Sequence, residues 1–578
     1  MLLSPTSIML FLLTLLALCQ NVSATETNFT QCLSDVRDGK YESIGLNNAG
    51  VVVSNGNATA LSYLDCVKYC GSGPTKFNWS KFAQEFSGWL LPYLALLSQL
   101  PFGAHDRWDN LIAVLLTVGS PALAAYSIVI TVLNGRWIAR LFSPYSYPNS
   151  RNAVRILSSL QQSSLSINPD GCLLSSLVVL PQNDEWWNEL VVWLDYAHSW
   201  SISAVSSITW VVVAYVFTVI VSFTDDLVPK VEVNGQSVGS IWLWLIPIVV
   251  AWLQISPKCD TVKVRQALDR ANEIAYVATH DHAVVLASRI GCQRAIQIDI
   301  GRRQTLRSDQ YISAPVYNYA RLFTWTEAVQ KVEACFSEAT RRTELFEPVD
   351  PEVEWVEGNR YMKVRPENRS GTSLQVEIYC VKKLPFPPNH FKSGVWSRLT
   401  IAALAGLGLQ WGTSGAAFLT VYHTPTTGLG CRSAAYLLYA LTSSMVMVML
   451  VSSSVLAHYA SICSSQYPMK SRIRSHRVKM LIWGSILLRK FGKVLAVLNA
   501  VLVTVTCVFQ FTGFFDRCYC NSSVIGRGAD TAFNVIVFDS EDDLGPMKNA
   551  WIGGVVLAIG TSILFIVYIN LKISPKLL

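Results

Sequence analysis

The apolar positions of this chain fall into long unbroken blocks rather than into stripes or alternations. Seven blocks reach, or nearly reach, the roughly 20 residues needed to cross ~30 Å of hydrocarbon. They are Leu111–Leu133, Trp200–Phe223, Gly239–Ser256, Leu399–Tyr422, Ser433–Ala457, Val494–Phe514 and Ala550–Leu571. An eighth, Trp89–Phe102, is shorter and holds Pro92 and Pro101, which predicts a re-entrant or interfacial helix. The first apolar run, Ile8–Leu18, precedes Val22-Ser23-Ala24 and has the form of a secretory signal peptide over 1–24.

Between the blocks the pattern changes. In 134–199, Val154, Ile156, Leu157 and Leu160 recur at helical spacing, as do Trp186, Trp187, Leu190, Val191 and Leu194. Segment 257–398 is the one sizeable polar stretch. It has helix-like runs at Val262–Tyr276 and Thr326–Thr343 and a strand-like alternation at Leu374–Val381. The expected fold is an all-α polytopic membrane protein, with seven transmembrane helices plus a small α+β cytosolic insert. It divides into a signal peptide (1–24), an ectodomain (25–110) and three spans within 111–256. A cytosolic domain (257–398), four further spans (399–571) and a tail (572–578) follow.

Composition supports the membrane reading. Of 578 residues 51% are apolar and 15% charged, against roughly 25% charged in soluble domains. A secreted enzyme, a nucleic-acid binder and a disordered scaffold are poor fits, and no nucleic-acid partner is expected. The net charge of +7 matters through its distribution, because loops on the cytosolic side are enriched in Lys and Arg. With seven spans and the N-terminus outside, the shorter inner pieces (134–199, 458–493 and the tail) hold fourteen Lys and Arg. The outer loops 224–238, 423–432 and 515–549 hold five. Adding Trp89–Phe102 as an eighth span would reverse the sides. The expected location is the plasma membrane or an endomembrane, with the N-terminus lumenal or extracellular and the C-terminus cytosolic.

On that topology Asn28, Asn57, Asn78 and Asn521 head N-glycosylation sequons on the outer side, while the sequon at Asn368 faces the cytosol and goes unused. The outer cysteines are Cys32, Cys66, Cys70, Cys431, Cys518 and Cys520, enough for up to three disulfides in fifteen pairings. Cys172, Cys259, Cys292, Cys335, Cys380 and Cys463 remain in the reducing compartment as thiols.

No Asp, Glu, Lys or Arg lies within the seven blocks. Proton relays, coupled transporters and voltage sensors place such groups at membrane depth, so those mechanisms are disfavoured. The interior polar candidates are Gln410, Asn499, Gln510 and Ser/Thr residues such as Ser414, with Gln254 and Asn570 near span ends. They predict hydrogen bonds between helices or, on the alternative reading, a polar cavity.

Gly412-Thr413-Ser414-Gly415 matches the Gly-x-Ser-Gly of rhomboid proteases, with His423 and His458 as the nearest bases. A small-residue packing surface explains it more simply. His280-Asp281-His282 with Cys259 and Cys292 has no spacing of a structural zinc site. Asp225-Asp226 and Asp539–Asp543 read as solvated acidic loops, and Arg302-Arg303-Gln304-Thr305 as a basophilic kinase pattern of low specificity. Segment 479–493 pairs an apolar face with Arg489, Lys490 and Lys493. It predicts either contact with anionic lipid or ordinary positive-inside flanking charge. No catalytic set, metal site or cofactor is expected.

Four runs carry a resemblance: Leu91–Ala104, Val132-Leu133-Asn134-Gly135-Arg136-Trp137-Ile138-Ala139-Arg140, Leu180-Pro181-Gln182-Asn183-Asp184 and Gln410-Trp411-Gly412-Thr413-Ser414-Gly415. The chain after the signal peptide resembles a group of multi-span membrane proteins common in filamentous fungi. The resemblance implies fold and membrane location; it brings no activity and no functional residue. The expected role is non-enzymatic: a sensor, adaptor or scaffold whose 257–398 domain binds a cytosolic protein. The alternative is a membrane-embedded enzyme or transport step in fungal specialised metabolism.

Overall fold

A computed structural model describes residues 27–573 except 78, 103–105, 169–170, 197–199, 225–239, 291–293, 299–307, 360–363, 382–393, 425, 466–471 and 538–540. The expected signal peptide, Asn78, Cys292, Asp225-Asp226, Arg302–Thr305, Asp539 and all but two residues of the 572–578 tail lie outside the described residues.

Helix makes up 72% of the structure. In chain order the principal helices are α1 (Phe29–Arg37), α2 (Trp79–Glu85), α3 (Leu91–Leu97), α4 (Arg107–Gly119), α5 (Pro121–Leu141) and α6 (Ser150–Ser159). Then come α7 (Gly171–Val179), α8 (Asp184–Leu194), α9 (Ile202–Thr224), α10 (Leu245–Ile255), α11 (Thr261–Glu273) and α12 (Asn318–Glu344). The chain ends with α13 (Ser373–Cys380), α14 (Val395–Tyr422), α15 (Cys431–Ser465), α16 (Arg472–Phe511) and α17 (Glu541–Lys572).

Among the described residues four helices are long and apolar enough to cross a membrane: α5, Cys431–Ser464 of α15, His476–Phe511 of α16 and Gly545–Lys572 of α17. Apolar helices over Ile202–Phe217 and Ile241–Ile255 are shorter. The expected span Leu399–Tyr422 lies within α14, where Gly406, Gly412, Gly415 and Gln410 dilute the apolar content.

The expected span Leu111–Leu133 is not one helix. α4 stops at Gly119, and Ser120 caps α5 by accepting the Leu123 N–H at 3.3 Å. Pro121 is at the first helical position, where its missing N–H costs nothing. The two arms then fold back on one another. Ser127 of α5 donates to the Val316 carbonyl at 3.3 Å, and Asn318 donates to Thr131 at 2.7 Å. α4 packs on the same turn, Pro315–Tyr317, and Asp109 at its start is in electrostatic range of Tyr317. A straight helix would hold Asp109 and Thr131 ~33 Å apart. The apex of this hairpin lies deep: Ser120 donates to the Ser443 carbonyl at 2.8 Å. Along α15, Ser443 is ~18 Å from Cys431; along α14 its partner Gln410 is ~18 Å from Arg398.

Trp89–Phe102, expected as a re-entrant or interfacial helix, belongs to a longer helical path. α2, a π-helical turn at Phe86–Leu90 and α3 form one nearly continuous helical path, ~28 Å long. Phe82 and Phe86 meet Phe511 edge-to-face at the far end of α16, with ring centroids 6.2 and 6.3 Å apart. At the other end, Leu100 and Phe102 meet Ser127 and Val316 around a small cavity. Leu96 and Leu100 are buried in the main core. An interfacial helix would leave such side chains at the protein surface.

Segments 134–199 and 257–398 form one unit rather than two. Leu165–Ile167 pairs antiparallel with Ile296–Ile298, and one hydrophobic cluster joins Trp186, Trp187 and Leu177 to Trp325, Phe336 and Val376. The buried Arg369 guanidinium pairs with Asp184 at 2.6 Å and donates to the Val179 carbonyl at 2.8 Å, tying the halves together. Strand is confined to that pair and the hairpin Tyr276–Ala278/Val284–Leu286 among the described residues of this unit. The alternation at Leu374–Val381 is helical, not extended. Thr372 and Gln375 form a reciprocal capping box, which satisfies the first N–H groups of α13 and outweighs a short period-two pattern.

At the opposite end, residues 27–75, 428–432 and 513–537 make a disulfide-bonded cap. Ala60–Ser62 is the central strand between Gly45–Leu46 and Phe533–Val535. The bridges are Cys32–Cys70, Cys66–Cys518 and Cys431–Cys520, one of the fifteen pairings. Cys66–Cys518 closes a separation of 452 residues. Replacing both of its cysteines by serine should cost about 2–5 kcal/mol, read as a lower non-reducing melting temperature.

Candidate functional site

The break at Ser120 creates a local problem and the helices around it supply the answer. The ladder is interrupted, so carbonyls at the end of α4 lack intrahelical donors, a serious cost away from water. Tyr439 Oη donates to the Val118 carbonyl at 2.7 Å. Asn499 Nδ2 donates to the carbonyls of Gly119 at 2.8 Å and Tyr439 at 3.1 Å. Ser443 Oγ donates to Gln410 Oε1 at 2.8 Å, and Gln410 Nε2 donates to Ser414 Oγ at 3.3 Å. Thus Gln410 and Asn499, both buried, join α4, α14, α15 and α16, while the buried Ser414 accepts from Gln410 within α14. Exchanging Asn499 for leucine should destabilise the protein by about 1–3 kcal/mol, measured by thermal unfolding in detergent, because two buried carbonyls lose their donor.

The glycines near this network are packing surfaces. A Cβ on Gly406 would lie 2.5 Å from the Ala122 carbonyl oxygen, and Gly412 faces Thr561 of α17. His423 Nδ1 pairs with the Leu419 carbonyl at the end of α14, and His458 stacks on Phe323 with centroids 4.3 Å apart. No nucleophile–base pair is built on Ser414. His280 and His282 flank a hairpin tip, the first 3.1 Å from Ser373 Oγ and the second 4.0 Å from Asp350. Among the described residues no group of three or more His, Cys, Asp or Glu is placed to hold a metal.

The junction between bundle and domain is held by buried charges. Asp309, 1% exposed, accepts from Lys493 and from Tyr319 Oη, each at 2.6 Å, with Arg489 at 4.0 Å. Two of the three cations assigned to the 479–493 amphipathic segment therefore face a carboxylate of the same chain. Arg321, 1% exposed, donates to Asn318 Oδ1 at 2.6 Å, the Ala314 carbonyl at 3.0 Å, Gln162 Oε1 at 3.1 Å and the Gln161 carbonyl at 3.2 Å, and also to the Ile312 carbonyl. It fixes the 312–318 wedge that fills the open side of the α4–α5 hairpin. Arg398, at the start of α14, bonds Asn134 and Thr326 and lies 4.1 Å above the Trp137 ring.

Beside this junction is a half-open cavity of about 410 Å³. Bundle helices α5 and α10 line one side, α6, its following turn and the end of α8 line the other, and Ile573 closes a corner. Burial holds the Lys258 ammonium in its wall below the usual lysine range, with Asp195 acting against that shift. Next to it, burial pushes the Cys259 thiol up to about 12, so it should resist maleimide at neutral pH.

The exposed Asn28, which caps α1, and the exposed Asn57 lie in the cap with the six bridged cysteines, as does the half-buried Asn521, 3.4 Å from Arg432. Asn368 is 1% exposed and bonds both polar backbone atoms of Val356, so it offers no acceptor site in the folded domain.

Ser120, Tyr439, Asp309 and Arg321 were not singled out from the sequence. Ser120-Pro121 is a helix-start signature inside an apolar run. Nothing local marks Asp309 or Arg321, whose partners are distant in sequence.

These features define a polytopic membrane protein with a bridged cap at one end of its bundle and a folded domain at the other. No protein-family model, curated protein or solved structure matches the chain.

Proposed function

We propose that the chain is a sensor or adaptor of the plasma membrane or secretory pathway, with the cap outside and the domain in the cytosol. The observation that carries this reading is the Asp309 cluster. A buried carboxylate gripped by two cations of α16 couples the domain rigidly to the bundle, so displacement of α16 is delivered to the domain. On this reading seven segments cross the bilayer: 79–102, 200–223, 239–256, α14, α15, α16 and α17. α4–α5 enters from the cytosolic side and returns to it. That exchange of roles between 79–102 and 111–133 keeps the number of crossings odd and the charge bias intact. Three disulfides and the sequons at Asn28, Asn57 and Asn521 then share the oxidising side, where Asn78 also belongs.

The domain is proposed to bind a cytosolic protein. A biotin ligase fused to the C-terminus of the full chain should label a reproducible set of cytosolic proteins. A set indistinguishable from that of a membrane-tethered ligase alone would remove the adaptor reading. The alternative, a membrane-embedded enzyme or transport step, needs polar groups open to a cavity at bundle depth. Gln410 and the Asn499 Nδ2 group instead bond neighbouring helices, and Ser414 accepts from Gln410 within α14, which favours the non-enzymatic reading.

A further inference from the structure

The cavity beside the junction has chemistry that the folded chain does not use up. Gln161 is 6% exposed, lines the cavity and has no hydrogen-bond partner on its side-chain oxygen. Gln254 Oε1, on the bundle side, and Ser158 Oγ, one turn before Gln161, are likewise buried without a partner; each of the three atoms has less than 1 Å² of accessible surface, so a ligand meets them only once these side chains turn toward the cavity. Buried polar atoms of this kind are rare because each one destabilises the fold, and a ligand that pairs with them removes the penalty. Two of the three atoms are acceptors only, so the missing groups are donors.

Charge sharpens the assignment. Arg155 and Lys258 bring two cations to the wall, one N–H of Lys258 already donating to the Tyr196 carbonyl, and Asp195 brings one carboxylate. A ligand with both an anionic and a donor-bearing cationic group matches that set. The bundle contributes the apolar Val132 and Ile255, and Ile573 follows α17. The cavity sits where α5 and α10 leave the bundle, the level at which lipid headgroups lie on the proposed topology. Its volume falls in the roughly 300–1,000 Å³ range of small-ligand sites.

We infer that this cavity binds a phosphodiester carrying a primary ammonium, presented as the headgroup of an aminophospholipid. The phosphate faces Arg155 and Lys258, and the ammonium donates toward Asp195 and the amide oxygens of Gln161 and Gln254. Choline headgroups, which have no N–H, leave those acceptors unpaired.

The full chain reconstituted in phosphatidylcholine nanodiscs tests this by thermal unfolding and by native mass spectrometry of retained lipid. Added phosphatidylethanolamine should raise the melting temperature and remain bound, with phosphatidic acid about tenfold weaker. Arg155→Gln should weaken both lipids about tenfold, and Asp195→Asn should abolish the preference between them. Both residues are exposed, so neither replacement threatens folding. Soluble glycerophosphoethanolamine binding as tightly as the lipid would uphold the chemistry and assign it to a soluble phosphoester. Equal stabilisation by all three lipids, or insensitivity to both variants, would overturn the assignment and leave a water-filled cavity.

Discussion

Alanine at Gly119 should prevent the bundle from closing. A Cβ at this position would overlap the backbone carbonyl oxygen of Ala496 and crowd its carbonyl carbon. Backbone atoms of a long helix cannot rotate aside as a side-chain tip can, so α4 or α16 must shift as a whole. Overpacking a well-filled core costs about 1–3 kcal/mol when side chains can adjust. Here the displacement also separates Asn499 from the Gly119 carbonyl and Tyr439 from the Val118 carbonyl. The expected loss is therefore at or above the top of that range. Fluorescence-detected gel filtration should show the parent's monodisperse peak lost or strongly reduced. Gly408 and Gly560, whose added Cβ would meet nothing within 4 Å, are the controls: alanine there should leave the peak unchanged. A normal Gly119→Ala peak would mean that the helix break does not pack as described.

The second large effect belongs to Asp309. Asp309→Asn keeps the shape and removes the charge, leaving Lys493 and Arg489 partly buried against a neutral amide. Breaking one partner of a buried pair typically costs about 3–5 kcal/mol. The loss should appear as a lower melting temperature and as faster proteolysis of the domain while the bundle stays intact. Adding Lys493→Met should recover part of it, because the second change removes the stranded cation. If the single variant melts like the parent, the junction is not held by this cluster and the coupling argument fails.

The sequence made the membrane class legible through charge depletion and apolar run length. It also identified Gln410, Ser414 and Asn499 as buried polar groups, and their helix-joining role was among the readings considered. It did not resolve the break at Ser120, because hydropathy is indifferent to direction: an apolar run that turns scores like one that continues. The corrective sign was Ser120-Pro121, a helix start within the run. The junction was less accessible. Asp309 and Lys493 are separated by 184 residues, and no local period records such a pairing. Three of the four runs that carry the family resemblance are joints. Asn134 and Trp137 receive Arg398, Asp184 receives Arg369, and Gln410 receives Ser443.

The most direct test of the topology is which side of the membrane each arm of the α4–α5 hairpin starts from. Trp108, 70% exposed, lies in the first turn of the descending arm, and the exposed Arg140 lies in the last turn of the returning one. Trp108→Cys and Arg140→Cys, each expressed in intact cells, are treated with a membrane-impermeant maleimide before and after permeabilisation. The hairpin predicts that both are labelled only after permeabilisation. Labelling of Trp108→Cys in intact cells, with Arg140→Cys still protected, would contradict it and restore Leu111–Leu133 as a crossing helix.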